Sequence, residues 1–139
     1  KMNSKRVTVM KPGKEIILFG NIKVETIAAY NTTEAHTQFH PKEREDCGYI
    51  FNIGGSRIYV SGDTENTSEM KSLKDIDVAF LPVNQPFTMT VDEALDAIKA
   101  IHPKVFYPYH YGGTDQKTDI NRLTEEGKKY TDVRIRNME

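Results

Sequence analysis

The hydrophobic period of the chain changes once, at Ser61-Gly62-Asp63-Thr64, and that change limits the folds open to it. Before this point apolar residues alternate with polar ones; after it they recur at helical spacing or in short unbroken runs. Glu15-Ile16-Ile17-Leu18-Phe19 reads as a strand and Gly20-Asn21 as a tight reversal. Ile22, Val24 and Thr26 then alternate with Lys23 and Glu25, the period of two that gives a sheet one wet face. A shorter β-rich run, Val7-Thr8-Val9-Met10, precedes them across the turn residues Lys11-Pro12-Gly13-Lys14. A hairpin follows, residues 49–53 and 57–60 around Gly54-Gly55-Ser56. Beyond the switch, residues 68–73 suit a short helix and 78–81 a buried strand. Thr90 and Glu93 form a capping box ahead of Val91, Ala94, Leu95, Ile98 and Ile101, a helix that His102-Pro103 stops. Residues 105–107 read as a strand, 119–130 as a polar helix and 133–135 as a last strand. A β meander followed by alternating strands and helices predicts an α/β (α+β) fold with helices against one face of a sheet.

Residues 30–46 are polar and aperiodic, a loop of seventeen residues that holds His36 and His40. Loops of this length inside a compact domain are functional or disordered. The 139 residues suffice for one domain, and 19 basic against 20 acidic residues give a formal charge of −1. No global field then draws the chain to nucleic acid or an anionic membrane, so neither partner is expected and a ligand must be held locally. No apolar run approaches the roughly 20 residues of a membrane span. The opening Lys1-Met2-Asn3-Ser4-Lys5-Arg6 lacks the apolar stretch of a signal peptide. A cytoplasmic protein is expected, with export of a longer parent left open, because a chain beginning with Lys1 need not begin where its gene does. The single cysteine, Cys47, can form neither an internal disulfide nor a CxxC knuckle, and no base partner marks it as a nucleophile.

Four candidate ligands stand at the ends of expected strands: His36 and His40 in the long loop, Asp63 in Ser-Gly-Asp-Thr, and His110 in Tyr-Pro-Tyr-His-Tyr-Gly-Gly. Imidazoles and a carboxylate converging on a divalent ion are what a hydrolytic metal centre requires. Separations of 23 residues (40 to 63) and 47 residues (63 to 110) carry no geometric signature of their own, however. Asp63 also suits a turn or helix cap, His110 among Tyr107, Tyr109 and Tyr111 suits a packed core residue, and His102 suits a helix end. From the residues alone both readings stand.

Several segments in order, "AAYN", "FHPK", "GYIFNIGG", "RIYVSGDT", "EMKSLKDIDVAFLPV" and "FTMTVDEALDAIKAIHPKVFYPYHYGGTD", resemble the second half of the metallo-β-lactamase superfamily. The resemblance is strongest to the metal-dependent hydrolase branch that includes ascorbate-6-phosphate-lactonase-like proteins. It implies half of an αββα sandwich, with residues 1–139 as the C-terminal half of the domain. It implies that Asp63 bridges two divalent ions, zinc or manganese, with His40 on the first and His110 on the second, and His36 as the rival loop ligand. Asp63 and His110 would serve a catalytic centre that activates water against an ester, lactone or phosphodiester bond of a small-molecule substrate. Gly62 would permit a tight turn, and Gly112-Gly113 close approach of backbone to a ligand. Two departures qualify this. The family's HxHxDH signature is missing from the chain, leaving two protein ligands per ion where three or four are usual. Asn84-Gln85-Pro86 also stands where many relatives are richer in glycine. The missing ligands would come from an N-terminal half or a second chain. The alternative is a non-enzymatic truncated domain that folds, or self-associates as a homo-oligomer, without metal. A phosphate-binding module is disfavoured, since no phosphate-cradling glycine loop is present.

Overall fold

The computed structural model describes residues 7–138; the polar opening, residues 1–6, lies outside the described residues, as does Glu139. Seven strands form one mixed sheet in sequence order: β1 (Glu15–Leu18), β2 (Ile22–Ala28), β3 (Cys47–Ile53), β4 (Ser56–Val60), β5 (Val78–Pro82), β6 (Val105–Tyr109) and β7 (Asp132–Val133). β1 to β4 pair antiparallel, and β4 to β7 pair parallel. The change of pairing falls where the hydrophobic period changes, because parallel neighbours need a long crossover and tight turns cannot supply one. The crossovers carry α1 (Ser68–Lys71), α2 (Val91–Ile101) and α3 (Ile120–Gly127).

The register lines Ile50, Tyr59, Ala79, Phe106 and Val133 across the sheet on one face. With Leu81 they meet Met70, Ala94, Ala97, Ile98 and Leu123 from the helices, and this is the core. The capping box forms as expected: the Thr90 hydroxyl accepts from the Glu93 N–H at 3.2 Å, and the Glu93 carboxylate accepts from the Thr90 N–H at 2.8 Å. His102 ends α2 in the left-handed conformation, its N–H donating to the Ile98 carbonyl at 2.9 Å. The opposite rows, Phe51-Ile58-Val78-Val105 and Tyr49-Val60-Phe80-Tyr107, are apolar yet only half-buried.

Several boundaries differ from expectation. Residues 7–10 form no strand and Val9 is 86% exposed. A strand there would need a neighbour, and the backbone of Thr26, next along β2, is taken by Gly13 and Lys14. The last strand shrinks to Asp132–Val133, which pair with Val105 and Phe106 at the start of β6. Asp119 serves as N-cap of α3 rather than as its first residue, accepting from the Arg122 N–H. β6 runs on through Pro108 to Tyr109. The long loop is ordered by two single 3-10 turns, Glu34–His36 and Lys42–Arg44. Among the described residues no helix is long and apolar enough to cross a membrane.

Candidate metal centre

Asp63 leaves β4 through a turn that demands glycine. Gly62 has φ +69°, and a Cβ there would stand 3.0 Å from the Cys47 carbonyl oxygen. A Cβ on Gly48 of the neighbouring strand would lie 2.7 Å from the Ser61 oxygen, so the two backbones approach as closely as glycine allows. The Tyr109 hydroxyl fixes the turn from the other side, donating to the Gly62 carbonyl at 2.9 Å. Burial pushes that phenol up to about 12, which keeps it a neutral donor.

Two histidines flank the Asp63 carboxylate, one at each oxygen. His40 Nε2 lies 4.0 Å from Oδ2, and His110 Nδ1 lies 3.4 Å from Oδ1. His110 follows β6 with φ +55°, a sparsely populated conformation for a side-chain-bearing residue, held by its N–H donating to the Met138 carbonyl at 2.7 Å. The buried Asn84 amide sits 3.1 Å from His110 Nε2 and turns Nδ1 toward Asp63. His40 is held below the usual histidine range, first by burial and then by Arg44, with Asp63 acting in the opposite sense. It is therefore a neutral imidazole near pH 7. The Arg44 guanidinium, which can only donate, lies 2.7 Å from His40 Nδ1 and leaves the ring proton on Nε2, facing Asp63. A cation taken by Nε2 requires that proton to move and Arg44 to turn aside.

Two imidazoles and a carboxylate are suitable donors for zinc or manganese, and they fit as part of a divalent-metal centre. The set is open: among the described residues no group of three or more His, Cys, Asp or Glu side chains converges to hold an ion unaided. The other candidates lie elsewhere. His36 Nδ1 meets Glu65 Oε1 at 2.9 Å, and His102 caps α2. Gly113 has open space around it, so nothing there requires a glycine. The Cys47 thiol is pushed up by burial and by Asp46 and Glu45, the reverse of an activated nucleophile. Sequence reasoning passed over Asn84 as a partner of His110, and Glu65. The proximity of Glu65 to Asp63 was the available signal, but its burial depends on a loop the sequence leaves undefined.

Comparisons with known proteins bear on the family and the fold. The family model described as "Beta-lactamase superfamily domain" matches residues 2–110. A UPF0173 metal-dependent hydrolase of Symbiobacterium thermophilum is 39% identical over 106 residues, covering 72% of this chain and 44% of the relative. One from Methanosarcina mazei is 30% identical, over 84% of this chain and 53% of the relative. The chain thus spans about half the length of these curated relatives. A crystal structure from Parabacteroides distasonis, of a protein assigned as a metal-dependent hydrolase, superposes with TM-score 0.87 at 46% identity, over 97% of this chain and 60% of that one. Igni18, a metallo hydrolase from Ignicoccus hospitalis, shares the fold with TM-score 0.75 at 22% identity, over 93% of this chain and 57% of that one.

Proposed function

The chain belongs to the beta-lactamase superfamily, and from that premise we propose that it supplies one side of a dinuclear centre in a metal-dependent hydrolase. Asp63, His40 and His110 are the ligands this chain contributes, with Asp63 shared between two ions. The observation that carries the reading is the placement of a different histidine at each oxygen of one carboxylate. Divalent cations so held, zinc or manganese, supply Lewis-acid activation of water toward an ester, lactone or phosphodiester bond of a small-molecule substrate. The chain's own residues do the positioning. Tyr109 fixes the Gly62 carbonyl and so the aim of Asp63, while Asn84 sets the ring of His110. Val60, Phe80, Tyr109, His110 and Met138 line an open, apolar groove beside the centre.

In this proposal the remaining ligands come from an N-terminal part of a longer protein or from a second chain, and the protein works in the cytoplasm. The span of the relatives and the half-buried apolar sheet face support that completion. The same face favours a second reading, a domain that self-associates without metal. Metal analysis of the full-length protein separates the two. We expect about two ions per molecule. Asp63→Asn should lose them, together with hydrolysis of a phosphodiester and lactone panel, by more than the roughly 10–100-fold of an outer-shell change. Full activity in metal-free protein, or unchanged metal content in the variant, overturns the proposal.

A further inference from the structure

We propose that Glu65 is a positioning residue of this centre: its buried carboxylate clamps the loop that carries His40 onto the Asp63 turn, with His36 as a clasp rather than a ligand. The inference rests on the assignment of Asp63 and His40 as ligands.

The Glu65 side chain has no exposed surface and sits two residues beyond Asp63. Oε2 accepts from the backbone N–H groups of Thr32 and Thr33, each at 2.7 Å, and from the Thr32 hydroxyl at 3.0 Å. Oε1 meets His36 Nδ1 at 2.9 Å. An ionised carboxylate only accepts, so Nδ1 carries the imidazole proton. These four donors replace the water that the carboxylate gives up, the condition for burying it. The neighbouring segment is bound as tightly: the Thr64 hydroxyl accepts from the Tyr30 N–H and donates to the Tyr30 carbonyl, both at 2.9 Å, and the Glu65 N–H donates to the same carbonyl at 3.1 Å.

The clamp reaches His40 through Asn31. The Asn31 N–H donates to the His40 carbonyl at 2.9 Å, and its side-chain amide donates to the carbonyls of His36 at 3.1 Å and Phe87 at 2.8 Å. Phe39, next to His40, packs edge-on to Phe87 at 4.8 Å. Between Asn31 and His40 the chain makes only one 3-10 turn, Glu34–His36, whose closure leaves two adjacent N–H groups pointing inward at Thr32 and Thr33. A single acceptor of two backbone donors and one imidazole is what that geometry needs, and an apolar side chain would leave all of them unpaired. With no surface exposed, Glu65 cannot touch a substrate; its effect on the centre is confined to where it holds the loop.

The test measures Zn2+ affinity of the full-length protein by competition with a chromophoric chelator, alongside thermal unfolding and the visible spectrum of the Co2+-loaded form. Glu65→Gln keeps the shape but replaces the charged acceptor of four donors by a neutral amide, and should weaken Zn2+ binding about 10–100-fold while unfolding stays cooperative. His36→Ala removes one donor and should weaken it about tenfold. His36→Asn restores a donor in the place of Nδ1 and should recover near-native affinity and an unchanged Co2+ spectrum. Native affinity in Glu65→Gln overturns the clamp. His36→Asn as weak as His40→Ala makes His36 a ligand and overturns the clasp. If Glu65→Gln fails to fold, the two His36 variants decide the matter. Asp63→Asn and His40→Ala with native affinity would instead sink the metal reading itself, an outcome distinct from loss of the clamp alone.

Discussion

On the helix-bearing face Ile50, Tyr59, Ala79, Leu81 and Phe106 are between 0% and 2% exposed. One residue further along the same strands, Phe51, Val60, Phe80 and Tyr107 on the other face stay half-buried. Both rows are apolar, and that is the informative part. A sheet meant to keep one face in water alternates apolar with polar residues, whereas Tyr49-Ile50-Phe51, Ile58-Tyr59-Val60, Val78-Ala79-Phe80-Leu81 and Val105-Phe106-Tyr107 do not. Strands of this kind belong between two covering layers, and the helices supply one.

The largest expected effect separates the faces directly. Phe106→Ala, in the fully buried row, should cost about 3–5 kcal/mol in urea unfolding of the 139-residue chain, enough to unfold much of it. Phe80→Ala, on the open face, removes a ring stacked on Tyr107 at 5.0 Å and should cost about 1 kcal/mol in the same chain. In a chain that carries the proposed N-terminal part its cost should climb toward the buried value. Equal costs for Phe80→Ala in both settings would break the comparison and leave the open face as finished surface.

The faces differ too in how legible they were. The meander, the hairpin, the capping box at Thr90 and the helix-covered face followed from period and turn chemistry, because those signals are local. Asp63 and His110 stood out as strand-end residues, and the structure brings them to either side of a single carboxylate contact. What was not legible depends on contacts distant in sequence. Thr26 takes Gly13 and Lys14 as backbone partners, which leaves residues 7–10 without a strand to join. Glu65 gathers Thr32, Thr33 and His36 across about thirty residues, and no spacing rule announces that. The uniformly apolar strands were visible, and the resemblance to half of an αββα sandwich already implied a second face in need of cover; the structure adds which rows lie on it.

The smallest expected effect concerns acid and again distinguishes the faces. Burial raises the Glu69 carboxyl, but hydrogen bonds from its own N–H, Ser68, Tyr30 and Lys42 outweigh it and bring the group down to about 2. Glu69 stands in the first turn of α1 on the helix side, and through Tyr30 (2.9 Å) and Lys42 (3.2 Å) it tethers the long loop there. A carboxyl lowered on folding stabilises the native state at pH values above its ordinary range, and that contribution is lost as pH falls from about 4.5 toward 2. The side chain is 38% exposed, so solvent screening holds the effect below about 1 kcal/mol. The urea midpoint should therefore fall between pH 5.5 and pH 3 by more in the native chain than in Glu69→Gln. The open-face rows carry no carboxylate, so Phe80→Ala should leave this difference intact. Identical acid profiles for the native chain and Glu69→Gln would show that the tether adds nothing, and that the loop is held from the Glu65 side alone.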